Sequence, residues 1–508
     1  MGRVSYSLSQ YHYETDGFRK NNNLNQDIYD AFVQISLSHK TSIQAEYRYF
    51  DDQRGDLSLR FDPDNFDRLS QKRQTDTLRL GFRHSFTPYS ETIASFIYQN
   101  SDLDTRLTDP DIPVSSTTTL SDGSILRLTG ASVGLGTHLD ENSWTGEIRH
   151  LFQSKSGRFY ITAGVGRFNS DRKNNFTTNG SYTGSLQPFP PLPIFSPVTL
   201  PESSRVPEDN DIRHTNFYIY SLIKPPKLIT STIGDMTWTI GGCMDFFEGQ
   251  GKEKTDQFNP KFGLTWNPFP GTTIRGALFR TLKRQLVSNQ TIEPTQVAGF
   301  NQFFDDTNGT IGWRYGIAID QKFSKSLYAG AEFSRRDLDV VKGDLRTNSV
   351  TYARFGHDED LIRTYLNWTP ELFEKNWLSM SAEYQYEWID KEPGLLDIEL
   401  FEKLRTHRVP LGINFFHPSG FSARLKSTYV DQAGRFADTP TRMTTVPGHD
   451  NFWYFDGSIS YRLPKRHGII SIGAQNLFNK NFNFQDTDPT HPQIVPEQLI
   501  FARFTLSL

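Results

Sequence analysis

The last thirteen residues, Pro496-Glu-Gln-Leu-Ile-Phe-Ala-Arg-Phe-Thr-Leu-Ser-Leu508, decide how the whole chain is read. Counting back from the end, Leu508, Leu506, Phe504, Ala502 and Ile500 are apolar, while Ser507, Thr505 and Arg503 between them are polar. Strict alternation of this kind marks a strand with one apolar and one wetted face. The strand runs to the last residue, as the closing strand of a membrane barrel would. Arg503 is then expected to face a lumen and Phe504 to face lipid.

The same period recurs upstream. Residues 42–49 place Ile43, Ala45, Tyr47 and Tyr49 on one face, with Gln44, Glu46 and Arg48 on the other. Residues 378–388 set Leu378, Met380, Ala382, Tyr384, Tyr386 and Trp388 against Ser379, Ser381, Glu383, Gln385 and Glu387. Residues 77–86 and 421–429 repeat the pattern. Several charges on the wet face of strand after strand do not fit a sandwich core. The apolar face is the packed one, and about ten residues are enough to cross a bilayer when tilted.

Connections alternate between short and long. The short ones share a chemistry: Phe86-Thr-Pro88, Trp266-Asn-Pro268, Trp368-Thr-Pro370, Phe416-His-Pro418 and Leu463-Pro464. Each sets a large apolar residue at a strand end and a proline where the ladder must stop. The long ones fall near 13–26, 51–74, 102–140, 171–211, 284–309, 340–357, 390–402, 433–449 and 479–496, and are rich in Asp, Asn, Gly, Pro and Thr. One of them contains the proline-laden run 187–197, expected to be extended. The segment 124–138 is expected to add a hairpin within its long loop.

This parity predicts an all-β chain: a transmembrane antiparallel up-and-down β-barrel of about 20 strands (20–22), with short periplasmic turns and long extracellular loops. The predicted strands are 3–13, 27–38, 41–51, 75–86, 90–101, 142–153, 158–170, 212–225, 235–247, 256–267, 271–283, 310–323, 326–339, 357–369, 376–389, 403–416, 420–432, 450–463, 467–478 and 497–508. No helical periodicity of any length is found. A soluble propeller or solenoid would need a repeated motif every 40 to 50 residues or so, and none is present.

Bulk composition agrees. The hydrophobic fraction is 36%, yet 14% of residues are aromatic, chiefly 40 Phe and 21 Tyr. No run of about 18 apolar residues exists, which excludes helical spans; a wet lumen and aromatic girdles account for the balance. The 54 basic and 58 acidic residues are mixed along the chain, leaving no basic footprint for nucleic acid. The lone Cys243 excludes an internal disulfide and a cysteine metal site. Alternation begins directly after Met1-Gly-Arg-Val, without a signal peptide, so the chain is read as a mature segment or fragment.

Catalysis finds little footing: the 12 histidines are scattered, with no nucleophile elbow and no metal spacing. No enzyme and no cofactor are expected. The acidic runs at 62–67 and 305–309 carry clustered oxygens but lack EF-hand spacing, and are read as solvated loop charge. Parity points Arg48, Arg275, Glu332, Arg336, Glu383, Glu387, Arg424, Lys426 and Arg503 into the lumen. There they form a solvated wall paired across strands, or they hold a plug and tune which solutes pass. Aromatics and arginines between Phe279 and Phe304 are further candidates for ligand contact.

Three stretches carry a resemblance. Ser471-Ile-Gly-Ala-Gln-Asn-Leu-Phe-Asn-Lys480, the strand around 271–284, and Thr291-Ile-Glu-Pro-Thr-Gln296 followed by Trp313-Arg-Tyr-Gly316 resemble the barrel of TonB-dependent receptors of the Gram-negative outer membrane. Tyr13-Glu-Thr-Asp-Gly-Phe18 is similar to an early strand and loop of that barrel. The resemblance implies outer-membrane localisation and uptake of a small scarce solute. Its implied partners are outer-membrane lipid, the barrel-assembly machinery, a small-molecule ligand, and TonB acting through a plug. Residues 1–508 are read as one barrel domain truncated at its N-terminus. The plug and an N-terminal hairpin are expected to be missing, and helical repeats preceding the barrel are one arrangement known in relatives. The alternative is a passive pore, or a barrel anchoring a larger multi-domain protein.

Overall fold

A computed structural model describes residues 3–66, 68–112, 116–119, 125–187, 194–195, 198–199, 203–209, 211–249, 254–284, 286–344, 351–371, 377–392, 401–438, 444–488 and 494–506. Twenty long strands dominate it. The first seven are β1 (Val4–Thr15), β2 (Leu24–Ser36), β3 (Thr41–Arg54), β4 (Leu69–Thr87), β5 (Ser90–Ile112), β6 (Ile125–Gln153) and β7 (Phe159–Gln187). Then come β8 (Ile212–Ile223), β9 (Asp235–Glu248), β10 (Lys254–Asn267), β11 (Thr272–Leu282), β12 (Ile311–Lys322), β13 (Leu327–Asp344) and β14 (Thr351–Trp368). The last six are β15 (Leu378–Lys391), β16 (Phe401–Phe416), β17 (Phe421–Ala437), β18 (Thr445–Arg462), β19 (Gly468–Gln475) and β20 (Leu499–Leu506). Each pairs antiparallel with the next, as short turns on one side require. The second half continues the meander without a crossover.

The register lines up the apolar faces predicted by parity. Ile43 lies opposite Phe82, Phe82 opposite Ala94, Ala94 opposite Ile148, and Ile148 opposite Val165, which in turn faces Phe217. Phe82, Ile148 and Phe217 remain 41%, 47% and 53% exposed, so this belt has no protein on its outer side. A soluble monomer does not carry an apolar band that crosses so many strands; lipid is its natural solvent. On the other face, Glu147, Asn216, Asp245, Asn259 and Lys261 are polar and buried.

Two features exceed the expected strands. β5 to β7 run far beyond the length that crosses a bilayer; the extension of β7 past Ser170 is mostly polar on both faces, so the alternation that marks a strand fades there. At the other end, a short helix (Lys227–Ile233) follows Pro225-Pro226 in the turn between β8 and β9, where no helix was expected. Residues 116–119 pair with 125–128 at the start of β6, a short hairpin ahead of that strand, whereas the rest of 124–138, expected to form the hairpin, continues as β6 itself. The proline-laden run at 187–197 lies largely outside the described residues, as do Ser507 and Leu508.

The sheet curls until its inner face meets itself: Ser288, in the connection after β11, reaches the side chain of Gln99 on β5 at 3.3 Å. The expectation that the last strand closes the ring needs correction. Among the described residues β20 pairs only with β19, and β1 only with β2. Their side chains stand open, with Tyr6 at 80%, Leu8 at 77% and Ile500 at 69% exposure. With twenty strands the two edges run antiparallel, so direction does not forbid pairing. The seam is instead spanned at the long-loop end.

The span is made by the β3–β4 and β19–β20 loops together with the ends of β17 and β18. Phe61, between β3 and β4, stacks on Phe436 of β17 with ring centroids 4.0 Å apart. Asn65 donates to the carbonyl of Ala437 at 3.1 Å. The backbone N–H of Asp486 donates to the carbonyl of Leu59 at 2.9 Å. Gln485 and Gln432 exchange two bonds at 2.7 and 3.0 Å. Phe452, Phe482 and Phe484 gather around Leu59, Ile494 and Val430 in a buried cluster. Asp56 ties its loop together by pairing with Arg60 at 2.6 Å.

Candidate functional site

The connection 283–310 was expected to project outward. It leaves β11 at the long-loop end but turns back into the lumen. Arg284 is buried between Glu147 of β6 at 3.3 Å and Glu293 at 2.9 Å. Burial opposes its charge, but the carboxylates of Glu293, Glu147 and Asp245 outweigh that and hold the guanidinium above its ordinary value. Glu293 also accepts from the Tyr220 hydroxyl at 2.8 Å and the Asn216 amide at 2.9 Å, both on β8. Ile292 is fixed at both backbone ends: its N–H donates to Glu147 at 2.9 Å, and its carbonyl accepts from Arg149 at 2.5 Å.

Deeper in, Gln296–Val297 and Phe300–Asn301 pair as a miniature hairpin. Its two turn residues, Ala298 (φ 48°) and Gly299 (φ 88°), are both left-handed, the geometry a two-residue hairpin turn demands. Val297 and Phe300 are fully buried. The Phe300 ring occupies the space above Gly316 of β12, where an added Cβ would come within 2.4 Å of it. Arg275 and Arg314 lie over that ring at 5.5 and 5.8 Å. Arg336 lies 3.8 Å from the centre of Phe304. Arginine over a desolvated ring contributes up to about 2 kcal/mol, so the aromatics of this segment serve as seats for wall arginines. Contact with Arg275, near the short-turn end of β11, means the loop reaches through most of the barrel's height.

Five of the nine lumen candidates come together in the wall that runs on from Arg275 to β17. Arg275, Glu332, Glu383, Arg424 and Lys426 line one cavity of about 830 Å³. Arg275 pairs with Asp320 at 3.1 Å and Glu332 at 3.4 Å. Glu383 receives Arg363 through two bonds of 2.5 and 3.2 Å. Glu387 lines an adjoining recess of about 300 Å³ shared with Arg363, Gln385, Arg408 and Phe484. Arg336 stays with the inward loop, bonding Glu359 at 2.7 Å and also Asp306. Arg48 and Arg503 stand apart, exposed on β3 and β20, opposite Thr77 and Ser471.

The acidic runs take structural parts. Asp306 anchors to Arg336, and Asn65 caps the end of β17. Among the described residues, the metal-ligating atoms of Asp102, Asp104 and His138 converge within 4.8 Å, on strands β5 and β6 above the belt and away from the lumen. Sequence reasoning passed over Asp320, Arg363 and Arg408, although the same parity would have found them. Arg284, Glu293, Glu147 and Tyr220 were also missed. No periodic signal links a loop to the strands it folds against.

No protein-family model matches the chain, and no curated protein matches it in sequence. Its structure, however, is similar to solved outer-membrane receptors along its whole length. The pyoverdine outer-membrane receptor FpvA of Pseudomonas aeruginosa PAO1 superposes with a TM-score of 0.66 at 12% identity, covering 100% of this chain and 74% of the receptor. The ferric-catecholate import receptor Fiu of Escherichia coli K12 gives 0.61 at 11% identity, covering 99% of this chain and 77% of Fiu. BauA, the ferric preacinetobactin receptor of Acinetobacter baumannii, gives 0.60 at 10% identity, with 99% and 75% covered. The fold is that of the transmembrane barrel of TonB-dependent receptors.

Proposed function

We propose that this chain forms, as one barrel domain, the membrane conduit of a TonB-dependent-receptor-like transporter in the bacterial outer membrane, taking up a small scarce solute. The observation that carries the reading is the inward loop 283–310. A barrel serving only as an anchor has no use for a buried ionic knot, Glu147–Arg284–Glu293, that holds its own chain across the lumen. A passive pore would be obstructed by it. A lumen narrowed from within and lined by paired charges suits selective, controlled passage. Lipid surrounds the outer belt, the barrel-assembly machinery inserts the chain, and TonB supplies energy to the assembled transporter. No catalytic role is assigned.

Insertion of the purified chain into a planar bilayer separates this reading from a passive pore. A quiet or flickering barrel supports controlled passage, whereas a steady ohmic current of porin size overturns it. Solute accumulation by cells expressing the gene, abolished when TonB is removed, is the outcome expected of the coupled reading.

A further inference from the structure

The lumen wall treats its cations in two ways. Around β11 to β15 each named arginine is answered by carboxylates: Arg275 by Asp320 and Glu332, Arg336 by Glu359 and Asp306, Arg363 by Glu383. On β17 the pattern stops. Arg424 and Lys426, two residues apart on the lumen face and so roughly 7 Å along the strand, have no carboxylate within ion-pair distance among the described residues. Their cross-strand neighbours on β16 are Asn414 and Gly412, which offer no charge. On β18 they face Ser458 and Asp456; the Asp456 carboxylate, which also accepts the backbone N–H of Asn476 at 3.0 Å, attracts the Lys426 ammonium from beyond ion-pair distance.

Both cations line the 830 Å³ cavity, whose rim holds five cationic side chains and three carboxylates. All three carboxylates are spoken for by Arg275 or Arg363. Between Arg408 and the β17 pair, the wall carries the small residues Pro410, Gly412 and Thr428, leaving a hollow rather than a filled surface. Hydrogen-bonding groups, Asn414, Ser381 and Gln385, surround it. Like charges held beside a hollow, where the neighbouring Arg275, Arg336 and Arg363 are paired, are arranged for an anion that comes from outside. The volume is within the range that encloses a small molecule.

We propose that Arg424 and Lys426 form a binding subsite for a small solute bearing several oxyanions, carboxylate or phosphate. This rests on the lumen being a conduit and names the chemical class of what it carries. The charge fork of Arg424 favours a planar oxyanion, and the Lys426 ammonium favours a second negative group nearby. Acidic polypeptide is the competing occupant; the confined hollow favours the small molecule.

Calorimetric titration of the full chain in detergent, with citrate and with inorganic pyrophosphate as probes, tests it. Saturable binding that weakens as salt rises is expected, and R424Q–K426Q should weaken it by roughly tenfold or more. The charge-keeping variant R424K–K426R should retain binding, and R48Q, which removes a different lumen cation, should leave it unchanged. Heat-modifiable gel mobility confirms that each variant is folded. No saturable binding of either probe by the folded wild type would overturn the proposal. So would equal weakening by R48Q, or binding of an Asp/Glu-rich peptide without binding of citrate or pyrophosphate. If the probes bind and the double variant loses them while cells show no uptake, the subsite stands and the transport reading fails.

Discussion

The two sides of the lumen are built from the same alternating strands and end in opposite physical states. Under loop 283–310, against β6 and β8 to β12, polar wall residues are dry. Arg284 and Glu293 are about 5% exposed, and Asn216 is fully buried. Across the barrel, along β14 to β17, charged residues face a solvent-filled hollow, and the Arg363 side chain of the Arg363–Glu383 pair is 53% exposed. A buried pair loses hydration that its partner must replace, so removing one member leaves an uncompensated charge. A wetted pair loses little, since water takes over. The contrast therefore predicts where substitutions hurt, although both sides look alike in alternation.

The largest effect is expected from Arg284→Ala. It strands Glu293 and Glu147 in a dry site, which costs about 3 to 5 kcal/mol; the loop should release before the barrel unfolds. Limited proteolysis mapping new cleavage to 283–310, with strand content unchanged by circular dichroism, checks it. Gly316→Ala probes the same side by volume. Its Cβ would meet the Phe300 ring at 2.4 Å, an overpacking that costs about 1 to 3 kcal/mol, read as a lower denaturant concentration for loop release.

Phe61→Ala leaves both lumen walls intact and removes the stacked contact with Phe436 across the seam. About 1 kcal/mol is expected beyond the lost area. Faster amide exchange confined to β1, β20 and their loops would mark the seam as the least tied line of the sheet. The smallest effect is expected from Arg363→Gln on the wet side, about 0 to 1 kcal/mol, seen as an unchanged unfolding midpoint. Should Arg363→Gln cost as much as Arg284→Ala, the division into dry and wet sides is wrong.

Much of this architecture was legible in the sequence, and the limits are physical. The twenty strands and the face each residue takes followed from period-two alternation, because lipid and lumen impose opposite demands on successive side chains. Trp266-Asn-Pro268 and Phe416-His-Pro418 ended strands for a local reason, the missing N–H of proline. The inward loop left no such trace. Its partners, Glu147 and Tyr220, lie far away in sequence, and its aromatics read equally well as outward contacts. Gly263 and Gly316, small residues inside good strands, were the one available signal that another segment lies against the wall. The open seam had no signature either, since β20 alternates as a paired strand does. Lumen candidates were found by parity alone, which orients a side chain but does not say what answers its charge. That is why Arg275 and Arg424 entered as equals and leave, among the described residues, as a paired and an unpaired cation.

Occlusion of the lumen by the chain's own residues 283–310 follows from the inward course of that loop. Its most direct test is the bilayer conductance of the intact chain against a variant in which 286–306 are replaced by a short Gly-Ser link. A several-fold larger, steadier current is expected of the variant. Equal conductance from the two folded proteins would contradict it.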